Sequence, residues 1–328
     1  ATWASRGWLL DLTEYLPQAT ENSVPASVEQ SMWEGKLWAL PMWTSAQYLY
    51  ANLDLLEAAE VEAPTKDQRW TWEQLTEAAK KAQAAGAEWG VLFDQTDRYY
   101  QLQPLSESAG GGSGVTGEAM DTIDVTNEGW VRAMNWYASI FEDGVSPRGV
   151  TTDQMSAMFG AGQGAFFIGG SWSLTPITEN NPGFEYTVLP NPYFEGGTPA
   201  MSTGSWSVGV SAHSDNTAAA KAFAEFVSQD VEGNKAVTEV ILTQPTHVEA
   251  FDNFTVRIEE VDPPHTDGMG ALTLSELQEA AVSRPNVIGF TQLQDVLGRA
   301  YADIRNGQPV EETLQNAQVE LQGLWDRQ

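Results

Sequence analysis

Apolar positions recur along the chain at two periods. After Thr71, residues Trp72, Leu75, Ala78, Ala79 and Ala82 fall three and four apart, the spacing that places side chains on one face of a helix. Thr71 with Gln74 three residues on reads as a capping box, and Gly86 closes the helix. Trp130, Met134, Tyr137 and Phe141 predict a longer helix over 126–144, stopped by Gly144. Asp215 is expected to cap a helix over 218–228 with Ala219, Phe223, Phe226 and Val227 inward, and Val237 and Ile241 sit in the next one. The last helix is predicted from Pro309 to Trp325, with Val310, Leu314, Ala317, Leu321 and Leu324 inward. Pro309, Glu311 and Glu312 suit its positive end. Shorter helices are expected over 27–33, 53–58, 99–108 and 152–159. Apolar runs of strand length lie at 37–41, ended by Pro41, and at 48–52, 90–93, 165–168 and 184–189, ended by Pro190. Residues 205–211 alternate in strand fashion. Helices interleaved with short buried strands predict an α/β fold. The opening is unusual: Trp3, Trp8, Leu9, Leu10, Leu12 and Leu16 are core-type residues with no polar lead-in, as expected of a sequence that starts inside a domain.

Length and charge narrow the picture. The 328 residues suggest two domains at about 100–200 residues each. With 16 Lys+Arg against 45 Asp+Glu, the net charge is −29. No large basic face can be built to neutralise phosphates, so a nucleic-acid partner is excluded. The 13 Trp, 9 Tyr and 12 Phe supply ample core, which argues against disorder. With no Cys, disulfides, thiolate metal sites and cysteine nucleophiles are excluded together. His213, His247 and His265 are too far apart in sequence to suggest a metal site. Gly160, Gly162 and Gly164 follow a predicted helix and precede a strand, the reverse of the order that cradles phosphate. They read as a turn.

The informative residues are aromatic. Trp38, Trp72, Trp130 and Trp325 sit inside periodic elements and read as core. Trp43, Trp172 and Trp206 stand beside Thr44-Ser45, Gly170-Ser171 and Gly204. Flat rings in such turns suit the C–H faces of sugars, with small polar neighbours for the hydroxyls.

Several segments carry a resemblance. Arg6-Gly7-Trp8-Leu9-Leu10-Asp11-Leu12 opens the series. Gly35-Lys36 through Pro41, Tyr50-Ala51-Asn52-Leu53-Asp54-Leu55-Leu56 and Thr71-Trp72-Glu73-Gln74-Leu75 follow. Then come Phe159 through Gly170-Ser171-Trp172, the strand from Gly204 through Trp206 to Ser211, Arg284-Pro285, and Gly307-Gln308 onward. In order and spacing these resemble the extracytoplasmic solute-binding proteins of ABC sugar importers, the maltose-binding-protein-like family. By that resemblance the sequence begins after the family's opening strands and helices.

The resemblance implies a two-lobed, periplasmic-binding-protein-like fold of type II, with a ligand cleft between lobes joined by a hinge. It implies one lobe from 1–43 and 206–244 and another from 46–203 and 246–328. The chain would cross between them near 43–46, 202–205 and 244–247. It implies a mono- or oligosaccharide ligand held by Trp43, Ser45, Tyr100, Trp172, Gly204, Trp206 and Arg284. No cofactor, metal or catalysis is implied. The implied partner is a membrane permease, the implied state a monomer, and the location extracytoplasmic, either periplasmic or lipid-anchored at the cell surface. Two alternatives stay open. One is an anionic sugar derivative, phosphorylated or sulfonated, gripped by Arg98 or Arg284. The other is a glycoside hydrolase using two of the many carboxylates.

Overall fold

The computed structural model describes residues 1–180, 183–204 and 206–327. Helices α1 (Thr2–Ser5), α2 (Leu16–Asn22) and α3 (Pro25–Gln30) lead into a hairpin of β1 (Met32–Trp33) and β2 (Lys36–Leu37). Its turn places both Glu34 and Gly35 at positive φ, 49° and 72°, as a two-residue hairpin turn requires. This corrects the expected helix over 27–33, which stops at Gln30. The expected strand over 37–41 is corrected as well. Leu37 stays in the hairpin, and a new strand, β3 (Leu40–Thr44), runs straight through Pro41. The proline is tolerated because it faces Ser207, where the partner strand's register slips, so a missing N–H breaks no regular ladder. Its carbonyl accepts from Ser228 Oγ at 2.5 Å and Thr246 Oγ1 at 2.8 Å.

From β3 the chain passes through Ser45 and Ala46 into β4 (Gln47–Asn52), whose six residues are all buried. The Asn52 side chain caps α4 (Leu53–Ala58) by accepting from the Leu55 amide at 3.1 Å. The Thr71–Gln74 capping box starts α5 (Trp72–Ala84). Next come β5 (Trp89–Phe93), α6 (Tyr99–Ser108), the small pair β6 (Val115–Thr116) and β7 (Thr122–Ile123), α7 (Glu128–Glu142), α8 (Thr152–Gly160), β8 (Gly164–Gly170), α9 (Leu174–Asn180) and β9 (Tyr186–Leu189). The main sheet has the order β5-β8-β4-β9, with β5 and β8 parallel and β4 antiparallel to both neighbours. Strand β8 is buried end to end because both faces of the sheet are covered. One core holds Trp72, Phe93, Trp130 and Phe166, and the other holds Tyr48, Tyr50, Phe159 and Phe167.

The chain returns through β10 (Met201–Thr203) to β11 (Trp206–Val208), then α10 (Thr217–Gln229), α11 (Val231–Ile241) and β12 (Gln244–Pro245). Strands β11 and β12 pair antiparallel on either side of β3, making a three-stranded sheet with its own small core around Leu12, Ala19, Leu40, Val210 and Ala224. Ser205, the first residue of the predicted strand, lies outside the described residues. The last stretch is α12 (Val248–Arg257), α13 (Met269–Glu279), β13 (Ala281–Ser283), α14 (Phe290–Arg305) and α15 (Val310–Trp325), with β13 parallel to β10. Helix α15 buries Val310, Leu314, Ala317 and Leu321, as its spacing predicts.

Helix α10 departs from expectation. Its N-cap position is Asn216 rather than Asp215, and Phe223 and Phe226 are 62% and 51% exposed. The buried face is Ala224, Val227 and Ser228, with Ala220 packed beside them. Apolar residues surround this helix on most sides, so periodicity alone did not choose a face. The small alanines let the helix lie close to the sheet.

One buried ion pair ties α13 to the main body. The Glu276 side chain is wholly buried, and Arg69 grips it through both guanidinium nitrogens. Arg69 Nη1 also donates to the Asn191 carbonyl at 2.7 Å, and the Asn191 amide donates to Glu276 at 3.3 Å. Burial pushes the Glu276 carboxyl up, while Arg69 and the amide pull it back. Removing the cation leaves a buried carboxylate without its partner. Arg69→Met should therefore cost about 3–5 kcal/mol in urea unfolding, and Arg69→Met with Glu276→Leu should recover most of it. A single-variant loss below about 1 kcal/mol would show that the pair is replaceable by water.

Candidate functional site

Three chain passages run side by side where the small sheet meets the main body: Thr44–Ala46, Thr203–Gly204 and Leu242–Gln244. Their polar groups bond one another and the side chains packed against them, while Thr243 Oγ1 and Gln244 Oε1 have no partner among the described residues. Thr44 and Thr203 share a hydroxyl–hydroxyl bond of 2.8 Å. Ser45 Oγ accepts from the Gly204 amide at 3.1 Å and bonds the Tyr100 hydroxyl at 2.8 Å. Gln244 donates to Tyr48 at 3.1 Å and Ser171 at 3.3 Å. Thr246 and His247 remain bonded to the small body, through the Met42 carbonyl and the Asn234 side chain.

Beside this neck lies a cavity of about 810 Å³, near the upper end of the volume common for small-molecule sites. The structure brings all seven residues nominated from sequence to its wall: Trp43, Ser45, Tyr100, Trp172, Gly204, Trp206 and Arg284. They come from seven separate elements or loops.

The aromatic rings form two groups. Trp43 on β3 and Trp206 on β11 are cross-strand partners, stacked with centroids 5.7 Å apart and an interplanar angle of 25°. Trp206 is 59% exposed, so one ring face is available to a ligand. Across the cavity, Tyr100 and Trp172 lie 6.5 Å apart. The Trp172 ring folds back over Gly170, where an added Cβ would meet it at 2.1 Å. Its Nε1 donates to the buried Asp94 carboxylate at 3.0 Å. Gly170 and Asp94, at the ends of neighbouring strands β8 and β5, thus set that ring between them.

Arg284 reaches the cavity from the loop after β13. Its guanidinium sits 5.7 Å from the Tyr100 ring centroid and 6.0 Å from that of Phe290. Gly204 makes room for it, since a Cβ there would lie 2.6 Å from Arg284 Nη2. Burial pulls the Arg284 guanidinium below its ordinary value, opposed by Tyr100 and Tyr99. Burial also raises the Tyr100 hydroxyl.

Sequence reasoning missed part of the wall. Asp97 and Gln95 line it from the turn before α6. Gln294, Asp295, Gly298, Arg299 and Ala302 line it from α14, opposite that helix's buried Leu293, Val296, Leu297 and Ala300. Arg98, weighed as an anion partner, is exposed at the cavity mouth. Thr243, from the third passage, also lines the cavity. Two of the wall charges are ion-paired. Asp97 faces Arg305 at 3.6 Å, and Arg299 bonds Glu320 at 2.6 Å. Among the described residues, no group of three or more His, Asp or Glu side chains could hold a metal ion. No helix among them is long and apolar enough to cross a membrane.

Comparisons place this geometry among known proteins. Residues 1–232 match the family model for bacterial extracellular solute-binding proteins. The galactooligosaccharide-binding protein of Bacillus subtilis is 30% identical over 218 residues, covering 62% of this chain and 48% of that protein. The chain thus spans about half the length of that relative. An ABC substrate-binding protein from Listeria monocytogenes, solved in complex with cycloalternan, superposes with a TM-score of 0.83 at 22% identity, over 99% of this chain and 82% of the other. The GacH receptor of Streptomyces glaucescens, solved unliganded and with acarbose, gives 0.81 at 22% identity, over 99% and 81%. Both share the two-lobed α/β fold.

The Gly170–Trp172 contact is directly testable. Gly170→Ala should displace the indole from Asp94 and change near-ultraviolet circular dichroism in the tryptophan region, with the far-ultraviolet signal kept. An unchanged near-ultraviolet spectrum would mean that the ring is not held there.

Proposed function

The chain belongs to the bacterial extracellular solute-binding protein family, and we propose that it captures a neutral mono- or oligosaccharide between two lobes for an ABC importer. The observation that carries this reading is the cavity wall, where Trp43, Trp206, Tyr100 and Trp172 offer ring faces beside Ser45, Gln95 and Gln294. Aromatic faces take the C–H surface of a sugar, and polar groups take its hydroxyls. We take 1–43 with 206–244 as one lobe and 46–203 with 246–328 as the other. The passages near 43–46 and 202–205, with a third over 242–247, then form the hinge. Ligand that touches both walls favours the closed state by its differential affinity for it. The protein would act outside the cytoplasm as a monomer, handing sugar to a membrane permease and performing no chemistry. Asp97, tied to Arg305, makes a poor member of a glycosidase carboxylate pair.

A neutral ligand is favoured because Asp97 and Arg299 in the wall are ion-paired and the chain carries a net charge of −29, which repels anions at long range. The second reading, an anionic sugar derivative, rests on Arg284 in the wall.

Calorimetry against maltotriose, a galactooligosaccharide, cycloalternan, acarbose and a sugar phosphate should find a neutral sugar among the binders. Trp172→Ala and Trp206→Ala should each weaken it by about 1–3 kcal/mol. Unchanged affinity in both variants would sink the stacking account. Arg284→Ala, measured at low and high salt, separates the readings. A neutral sugar should bind with little salt dependence, whereas an anionic ligand should lose about 2–5 kcal/mol with the arginine.

A further inference from the structure

Tyr100 belongs to two places at once. Its half-buried ring forms part of the cavity wall, 6.5 Å from Trp172 and with the Arg284 guanidinium 5.7 Å from its centroid. Its hydroxyl lies in the neck, bonded to Ser45 Oγ at 2.8 Å in the first passage and to the Ser202 carbonyl at 3.4 Å at the start of the second. Its backbone carbonyl accepts from Ser202 Oγ as well. The next residue, Gln101, bonds Gln47 at 2.9 Å just after the first passage. The first turn of α6 is thus stitched to both stretches of chain. The other wall rings are held differently. Trp172 is fixed from within the main body through Asp94, and Trp43 and Trp206 stand on the small sheet. Tyr48, whose hydroxyl Gln244 reaches from the third passage, is wholly buried and does not line the cavity.

We propose that Tyr100 couples sugar contact to the hinge, its ring receiving the ligand and its hydroxyl carrying the restraint to Ser45 and Ser202. This rests on the two-lobed carbohydrate reading above and deepens it. Tyrosine suits the task because it is a rigid plate with an apolar body and a polar tip. A sugar packed on the plate limits its motion. The other end of the plate is bonded to the two stretches whose torsions must change when the lobes move. Ligand contact and lobe orientation then share a coupling free energy. Without the hydroxyl, the ring still meets the sugar, but the passages lose a cross-tie and the lobes range over more orientations. Fewer molecules then hold the arrangement that binds, and affinity falls by that fraction. Tyr100 is therefore a positioning residue as well as a wall residue.

The experiment compares wild type, Tyr100→Phe, Ser45→Ala and the double variant. The chain has no Cys, so Glu21→Cys and Glu142→Cys, at exposed positions, take spin labels, one on each proposed lobe. Label-to-label distances are measured without sugar and with saturating maltotriose or galactotriose, and affinities by calorimetry. In wild type the distance should change with sugar. Tyr100→Phe should broaden the sugar-free distribution and weaken binding about three- to tenfold, one net hydrogen bond. Ser45→Ala should broaden it in the same way, and the double variant should bind no worse than the weaker single one, since both remove one link. Weaker binding in Tyr100→Phe with an unchanged distribution would overturn the inference, because the hydroxyl would then serve the sugar directly. Wild-type affinity in Tyr100→Phe would overturn it too and leave the carbohydrate reading standing. A wild type that binds neither sugar, or whose distances respond to neither, would sink the two-lobed carbohydrate reading and this inference with it.

Discussion

The polar bookkeeping of the neck governs this molecule. Three stretches of backbone must pass between a small sheet and a large body, in a place largely closed to water. Each brings amide, carbonyl and hydroxyl groups that cost free energy if left unpaired. The solution is reciprocal. Thr44 bonds Thr203, Ser45 bonds Gly204 and Tyr100, and Gln244 bonds Tyr48 and Ser171. Placing β3 between β11 and β12 satisfies the remaining backbone groups as a short sheet. The side chains on the cavity side of that sheet then have fixed positions, which is why Trp43, Gly204 and Trp206 meet at one wall.

The rest of the site follows from steric room. Gly170 lets the Trp172 ring fold back onto the strand end, and Gly204 leaves space for Arg284. A larger residue at either position would push a recognition group out of place. Asp94 orients the indole without lining the cavity itself. Rigid aromatic surfaces held this way present area to a ligand at little entropic cost, the general advantage of preorganisation.

How much of this could be read from sequence depends on what carried each feature. Helix α6 over Tyr99–Ser108 and helix α4 over Leu53–Ala58 end where local spacing and caps place them. Trp43, Trp172 and Trp206 drew notice because each interrupts a turn rich in small residues, a local signal. The hairpin at Glu34–Gly35 and the passage of β3 through Pro41 depend on strand partners distant in sequence. So does the face of α10, where Phe223 and Phe226 turn outward. The α14 stripe of Gln294, Asp295 and Arg299 reads only as the side away from the core. Whether that side meets water or a cavity is decided by tertiary packing. Thr243 carried no sequence signal, since its place in the cavity wall exists only once every neighbour has been placed.

The most direct test of the account is a crystal structure of the protein with a saturating neutral oligosaccharide. The account predicts a sugar ring lying flat against Trp172 or Trp206 inside the cavity, touching residues of both lobes. Sugar bound on an outer surface, with the cavity still empty, would contradict it.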